Sequence, residues 1–105
     1  IPSVLERMDH VYDVHRHYMN SVIKEKPSEL FQKNFYATFQ KDVAGIRLRD
    51  MLGIDRLMWA SDYPHTDTTW PESKKVIDET FVGVPEGEKH MMISSNAGRL
   101  YGLHN

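Results

Sequence analysis

The chain has 105 residues, of which 40% are hydrophobic and 27% charged, and its formal net charge is −2. These values are typical of one small globular domain, and they provide no basic surface for the phosphate backbone of a nucleic acid. Cysteine is absent and no run approaches the ~20 apolar residues that cross a bilayer, so we expect a cytoplasmic protein, a single segment over residues 1–105, that binds neither nucleic acid nor membrane.

The first third of the chain has two helical patterns and one strand pattern. Apolar residues recur at helical intervals from Pro2 to about Lys24, and proline suits the first helical position. A second, short helix is expected from Pro27 to Lys33. The aromatic run at 34–39 alternates in the manner of a strand.

The middle of the chain predicts a helix and a second strand. Asp42 is a favourable N-cap for a helix through Leu52, and Gly53 stands where a left-handed C-terminal residue belongs. Residues 54–60 are short and almost wholly apolar, which is typical of a strand that is covered on both faces.

The last part of the chain is expected to be helical. One helix should run from Pro71 to about Phe81, and a turn rich in glycine and proline should separate it from a short helix at 88–93. Ser95, with Asn96 beside it, is then expected to cap a final helix.

This order of elements predicts an α/β fold with about two parallel strands and four to five helices, because strands separated by helices run parallel with a right-handed crossover. Two parallel strands cannot complete a sheet, since the buried strand at 57–60 needs a neighbour on each side. We therefore expect the chain either to assemble as a homo-oligomer or to be a piece of a larger protein, and we favour the piece.

Chemistry-bearing residues are concentrated after the second strand. Asp62 follows the apolar run by two residues, and α/β folds bind ligands beyond the carboxyl ends of their strands. A carboxylate at that point can bind a metal ion or accept a proton from a metal-bound water. The alternative is that Asp62 caps the turn through Tyr63 and Pro64, which is the commoner role on spacing alone.

The neighbours of Asp62 also have two interpretations each. His65 either acts as a proton donor or substrate contact, or it forms a hydrogen bond to nearby backbone. Asp67 is placed to orient His65, but its position before Trp70 favours a helix cap. Trp70 is expected to pack over the turn as a wall.

Other catalytic patterns are missing from the sequence. His15 and His17 lie within a helical pattern, where residues two apart are about 200° apart around the axis and cannot share one ion. There is no Gly-x-Ser-x-Gly elbow, no phosphate-binding glycine loop and no His-Glu-x-x-His. No separate cofactor-binding residues are predicted.

Two sequences, WASDYPHTDTTWPES at 59–73 and SSNAGRLYGL at 94–103, resemble the amidohydrolase-related family of metal-dependent TIM barrels. This family includes hydrolases and decarboxylases that are similar to aminocarboxymuconate-semialdehyde decarboxylase. The likeness continues through most of the chain: residues 3–17 resemble the helix after the sixth strand, 27–42 the seventh strand with its approach, and 45–65 the seventh helix with the eighth strand. It implies the C-terminal portion of a (β/α)8 barrel.

The resemblance also implies a function. It makes Asp62 a ligand of a catalytic divalent metal, zinc by expectation, or a proton-transfer group, and it makes His65 a neighbour of that site. A barrel takes roughly 250 residues, and the family's other metal-binding histidines have no counterpart here. We therefore expect a hydrolase or decarboxylase of a small carboxylated or cyclic substrate, of which this portion alone is inactive and metal-free. The alternative is a non-catalytic α/β module that self-assembles through its strand edges.

Overall fold

The structure is a computed structural model that describes residues 1–103, so the last two residues of the segment expected over 1–105 lie outside the described residues. Within 1–103, a two-stranded parallel sheet lies at the centre of the fold. The strands are β1 (Ala37–Phe39) and β2 (Leu57–Trp59). The ladder continues past the strands, since the Ala60 amide donates to the Phe39 carbonyl oxygen over 2.9 Å. The parallel α/β arrangement confirms the predicted fold class. In register, Ala37 pairs with Leu57, Thr38 with Met58 and Phe39 with Trp59.

Helices precede, separate and follow the strands. Most begin or end within a few residues of the predicted positions, which is the usual uncertainty of helix ends. A 3-10 turn (Ile54–Arg56) leads into β2, and a π-helical turn (Met91–Ser95) joins the last two helices. The helices of residues 1–103 are α1 (Pro2–His15), α2 (Pro27–Asn34), α3 (Val43–Arg47), α4 (Arg49–Leu52), α5 (Ser73–Thr80), α6 (Glu86–His90) and α7 (Asn96–Tyr101).

The crossover between the strands contains the predicted helix signals. Asp42 accepts a hydrogen bond at Oδ1 from the Gly45 amide over 2.7 Å, which confirms it as the N-cap of α3. The helix is interrupted at Leu48, and α4 continues to Leu52. Gly53 is the C-terminal cap of α4 and has φ +90° and ψ +115°, so the position and the positive φ agree with the prediction but the conformation is not the left-handed helical one. Residues other than glycine rarely adopt such a φ.

The prediction that the first helix reaches Lys24 is wrong, since α1 ends at His15. Asn20 has φ +43°, which a right-handed helix does not allow. Beyond that bend the chain returns along α1, and Lys26 Nζ donates to Asp13 Oδ2 over 2.7 Å. This ion pair lowers the pKa of the Asp13 carboxyl and raises the pKa of Lys26. The apolar pattern therefore continues past the helix into a segment held by tertiary contacts.

The cap predicted at Ser95 and Asn96 is also wrong. Ser95 has helical backbone angles and no capping hydrogen bond, because the helical segment runs unbroken through the π-helical turn into α7. Its hydroxyl instead lies 2.9 Å from His90 Nδ1. Asn96 is buried against the start of β2, so its role is in the core.

The core lies on the face of the sheet that the helices cover. Alternate strand residues point to that face, as the pleat requires. Its buried members come from α1, the crossover, β2, the end of α5 and the π-helical turn. They are Leu5, Ile46, Leu52, Leu57, Phe81 and Met92.

Much apolar surface is left uncovered in residues 1–103. Val4, Met8 and Val11 form one stripe of α1 and are 61%, 46% and 38% exposed. The radius of gyration is 16.3 Å, compared with about 13 Å for a compact domain of 100 residues. This part of the chain therefore does not bury its apolar side chains to the extent that an independent domain does.

Candidate functional site

The carboxyl ends of β1 and β2 open into a cleft of about 890 Å³. One wall is the segment that follows β1, and the other is the loop that joins β2 to α5. Ligands of parallel α/β folds bind at this end of the strands because the connecting loops converge there. The lining residues are Thr38, Phe39, Gln40, Lys41, Asp42, Ala60, Asp62, Asp67, Thr68, Thr69, Trp70, Glu72 and Val76.

The lining of the cleft is rich in carboxylates. Its four acidic side chains face a single lysine, Lys41, whose Nζ lies 3.8 Å from Glu79 Oε2 outside the cleft. Charges of one sign in a concave site raise the local concentration of counter-ions. These residues of the cleft therefore favour cations over anions. The four acidic residues are Asp42, Asp62, Asp67 and Glu72.

Asp62 lies at the mouth of the cleft, two residues beyond the last hydrogen-bonded residue of the β2 ladder. Its φ is +58°, a left-handed conformation that aspartate tolerates better than most residues. The side chain is 39% exposed, so solvent and ligands can reach the carboxylate. The structure thus places Asp62 where the sequence predicts it, and its catalytic and metal-binding roles remain predictions.

His65 contacts Asp62 but lies outside the cleft lining. Its Nδ1 lies 3.2 Å from Asp62 Oδ2, and its backbone amide donates to the Asp62 carbonyl oxygen over 2.9 Å. The imidazole is 74% exposed. The structure therefore brings the two predicted site residues together as a pair with one member in the cleft and one in solvent.

Asp67 does not cap a helix, which corrects the role favoured from the sequence. Helix α5 begins at Ser73, and its N-cap position is Glu72. Asp67 instead lines the cleft. The error arises because Pro71, a typical first residue of a helix, precedes the helix by two positions here.

Trp70 forms part of the cleft wall, as predicted. Its ring meets the Tyr63 ring edge to face, with centroids 6.3 Å apart and an interplanar angle of 76°. Both rings are largely exposed. Trp70 therefore presents an aromatic surface to whatever occupies the cleft.

A hydrogen-bonded clamp on the Ser61 carbonyl oxygen closes the loop, and sequence reasoning missed it. Thr68 Oγ1 donates to that oxygen over 2.7 Å, and the Thr69 amide donates to it over 3.0 Å. The Trp70 amide in turn donates to Thr68 Oγ1 over 3.2 Å. The available signal was the Thr-Thr pair after the turn, which the sequence pattern assigned to a helix cap.

A complete metal site is not formed by residues 1–103, which contain no group of three or more His, Cys, Asp or Glu side chains that could hold an ion. Catalytic zinc sites use three protein ligands and an open position. Asp62 offers a carboxylate oxygen that fits one such position. His15 ends α1 and His17 lies in the turn after it, so that pair is not on a strand. The residues present therefore fit part of a divalent site.

None of the helices in residues 1–103 is long and apolar enough to cross a membrane. A sequence profile described as amidohydrolase matches residues 2–103. Comparison with curated protein sequences gives no match.

Three solved structures are similar to this chain. The 5-carboxyvanillate decarboxylase of Sphingomonas paucimobilis has 30% sequence identity and a TM-score of 0.78, over 99% of this chain and 31% of that one. A 2,6-dihydroxybenzoate decarboxylase from Rhizobium has 22% identity and a TM-score of 0.73, over 97% of this chain and 31% of that one. A dihydroxybenzoic acid decarboxylase from a Polaromonas species, with bound manganese and the inhibitor 2-nitroresorcinol, has 22% identity and a TM-score of 0.74, over 99% of this chain and 31% of that one. The chain thus spans about 31% of the length of the structures that it matches.

Proposed function

The chain belongs to the amidohydrolase family, and on that basis we propose that it is the C-terminal part of a metal-dependent barrel enzyme that acts on a small carboxylated substrate. The single observation that carries the proposal is the position of Asp62, at the carboxyl end of β2 and in the lining of the cleft of about 890 Å³. The uncovered stripe of α1 supports a larger barrel, because neighbouring strands and helices would bury it.

Decarboxylation is the reaction that we favour over hydrolysis. The similar structure with 30% identity is a decarboxylase of an aromatic carboxylate, and the two with 22% identity support the fold. Hydrolysis is kept as the second candidate because the matching profile is described as amidohydrolase. Release of CO2 distinguishes the two reactions.

The charge of the cleft supports a requirement for a divalent cation. Four carboxylates around one lysine would repel an anionic substrate unless a cation offsets them. Asp62 would be one ligand of the ion, with the others supplied by other strands of the barrel. When bound, the ion would polarise the substrate carboxylate or activate a water. We expect zinc, and manganese is the alternative because the Polaromonas structure contains it.

The Asp62–His65 pair is suited to deliver the proton that decarboxylation consumes. The bond between the substrate carbon and its carboxylate breaks, its electron pair stays on the carbon, CO2 leaves, and the carbon takes one proton. His65 is exposed to solvent, from which it would take up a proton, and its Nδ1 lies 3.2 Å from the Asp62 carboxylate in the cleft. Asp62 would pass the proton to the substrate carbon as a general acid.

The test uses the full-length protein and two aromatic acids, 5-carboxyvanillate and 2,6-dihydroxybenzoate. CO2 release is measured for the wild type, for Asp62→Asn and for Asp55→Asn, a matched loss of charge in the 3-10 turn at the opposite end of β2. We expect Asp62→Asn to lower kcat/KM by about 100-fold or more and Asp55→Asn to leave it within a factor of about three. Equal turnover by wild type and Asp62→Asn would remove Asp62 from the mechanism.

The non-catalytic alternative makes a different prediction for the isolated 105-residue chain. A self-assembling module would form a defined homo-oligomer through the free edges of β1 and β2. The enzyme proposal expects this isolated portion to be inactive toward both acids and without a bound metal. Size measurement by light scattering, combined with the assay above, separates the two.

A further inference from the structure

The Ser61 carbonyl oxygen has both of its lone pairs engaged by one loop. It accepts from the Thr68 hydroxyl over 2.7 Å and from the Thr69 amide over 3.0 Å. The shorter bond comes from a side chain, so it is the one that a substitution can remove without changing the backbone. This carbonyl belongs to the peptide unit that immediately precedes the Cα atom of Asp62.

That peptide unit determines the direction of the Asp62 side chain. Rotation of the unit changes ψ of Ser61 and φ of Asp62 together, and φ of Asp62 is held at +58°. A left-handed angle costs most side-chain-bearing residues roughly 1–2 kcal/mol, and such angles persist where surrounding contacts over-determine them. Without the hydroxyl, only the longer bond from the Thr69 amide holds the Ser61 carbonyl oxygen. The unit then resists turning toward the ordinary negative φ less strongly, and any such turn moves the carboxylate.

The same hydroxyl connects two parts of the cleft wall that the loop between β2 and α5 forms. It donates to the peptide beside Asp62 and accepts from the Trp70 amide over 3.2 Å. The side chain of Thr68 is half-buried and itself lines the cleft. One oxygen atom therefore links the placement of the carboxylate to that of the aromatic wall.

We propose that Thr68 is the positioning residue of the site, and that its hydroxyl holds Asp62 in the orientation that binds the divalent ion and transfers the proton. The inference rests on the proposed function of Asp62. Thr68 need not touch the substrate for this role. It acts through the Ser61–Asp62 peptide.

The test measures Mn2+ affinity and kcat/KM in the full-length protein. Thr68→Val keeps the shape of the side chain and removes the hydroxyl, and Thr68→Ser keeps the hydroxyl and removes the methyl group. Groups that orient metal ligands are typically worth 10–100-fold in metal affinity or activity. We expect Thr68→Val to weaken Mn2+ binding by about 10-fold or more, and Thr68→Ser to stay within about 3-fold of the wild type. Thr66→Val is the control, because Thr66 is exposed and does not line the cleft.

The outcomes separate this inference from the proposed function. Weak Mn2+ binding by Asp62→Asn, with wild-type binding by Thr68→Val, would overturn the role of Thr68 and leave that of Asp62. Wild-type binding by Asp62→Asn would overturn both. If Thr68→Val lowers the yield of folded protein, Thr68→Ala and Thr68→Ser decide the question. A positioning role requires that Thr68→Ala binds Mn2+ more weakly than the wild type and that Thr68→Ser binds it about as tightly.

Discussion

Asn96 of α7 donates a hydrogen bond from Nδ2 to the carbonyl oxygen of Leu57, the first residue of β2, over 2.8 Å. The same nitrogen donates to the Ile54 carbonyl oxygen, also over 2.8 Å, and Oδ1 accepts from Arg99 over 3.2 Å. The side chain is 1% exposed, so its polar atoms are satisfied inside the protein. The last helix is thereby fixed to the strand whose other end leads to Asp62.

Replacement of Asn96 by alanine should destabilise the full-length protein by about 2–3 kcal/mol. The substitution leaves two buried carbonyl groups short of a donor and opens a cavity. Urea unfolding monitored by circular dichroism measures the change. Ser94→Ala is the control, because Ser94 is an exposed neighbour in the same turn, and it should shift the free energy by less than about 0.5 kcal/mol. Equal effects of the two substitutions would contradict a role of the Asn96 amide in fixing β2.

Replacement by alanine should lower the stability of the fold at one glycine and raise it at another. Gly53 has φ +90°, and a Cβ atom there would lie 3.2 Å from Asp55 Oδ1, so Gly53→Ala should cost about 1–2 kcal/mol. Gly87 lies in α6, and a Cβ atom added there would meet nothing within 4 Å beyond its chain neighbours and the backbone of its own helix. Gly87→Ala should therefore stabilise the fold by about 0.5–1 kcal/mol. Thermal melting of both variants checks the pair, and a stabilising Gly53→Ala would show that this backbone turn is not required.

The ion pair of Asp13 and Lys26 should make stability depend on pH. The folded-state pKa of Asp13 is lowered by its hydrogen bond to Lys26. The ion pair therefore contributes to the free energy of unfolding above the unfolded pKa of about 3.9, and this contribution is lost as pH falls below it. The pKa of Lys26 is raised, so the contribution is also lost at a pH above about 10.4. Lys26→Gln should therefore lower the urea midpoint between these limits, and the difference from wild type should disappear outside them. Lys24→Gln, at an exposed lysine nearby, should show no such pH window.

His65→Gln should lower turnover less than Asp62→Asn does. The imidazole is 74% exposed, so water can replace part of its role as a proton source, whereas the Asp62 carboxylate itself lines the cleft. We expect a loss of about 10-fold in kcat with KM nearly unchanged, because His65 does not line the cleft. Steady-state kinetics of the two variants checks the order. A larger loss for His65→Gln would make the imidazole the principal proton donor.

The general position of the site was predictable from the sequence because it depends on local order along the chain. An apolar run predicts a buried strand, and whatever follows it lies at the carboxyl end of the sheet, which is where the structure has Asp62 and His65. Asp42 and Gly53 were predictable for the same reason, since an N-cap and a positive φ are local requirements.

The clamp and the buried amide were not predictable because they depend on distant partners. The Thr68 bond to Ser61 requires the loop to close over seven residues, and the amide of Asn96 reaches Leu57 across 39 positions. Threonine and asparagine near a helix are typical of caps in the sequence, because the side chains that cap a helix can also form hydrogen bonds to backbone groups elsewhere. The end of α1 was missed because the apolar spacing continues beyond His15.

The amount of divalent metal bound by the full-length protein tests the central claim most directly. Elemental analysis after dialysis should give about one zinc or manganese ion per chain for the wild type and for Asp55→Asn. Asp62→Asn should retain much less, because replacing a carboxylate ligand by an amide removes the charge that holds the ion. A wild-type protein that turns over its substrate without metal, or an Asp62→Asn variant that keeps a full ion, would contradict the assignment of Asp62 to a metal-dependent site.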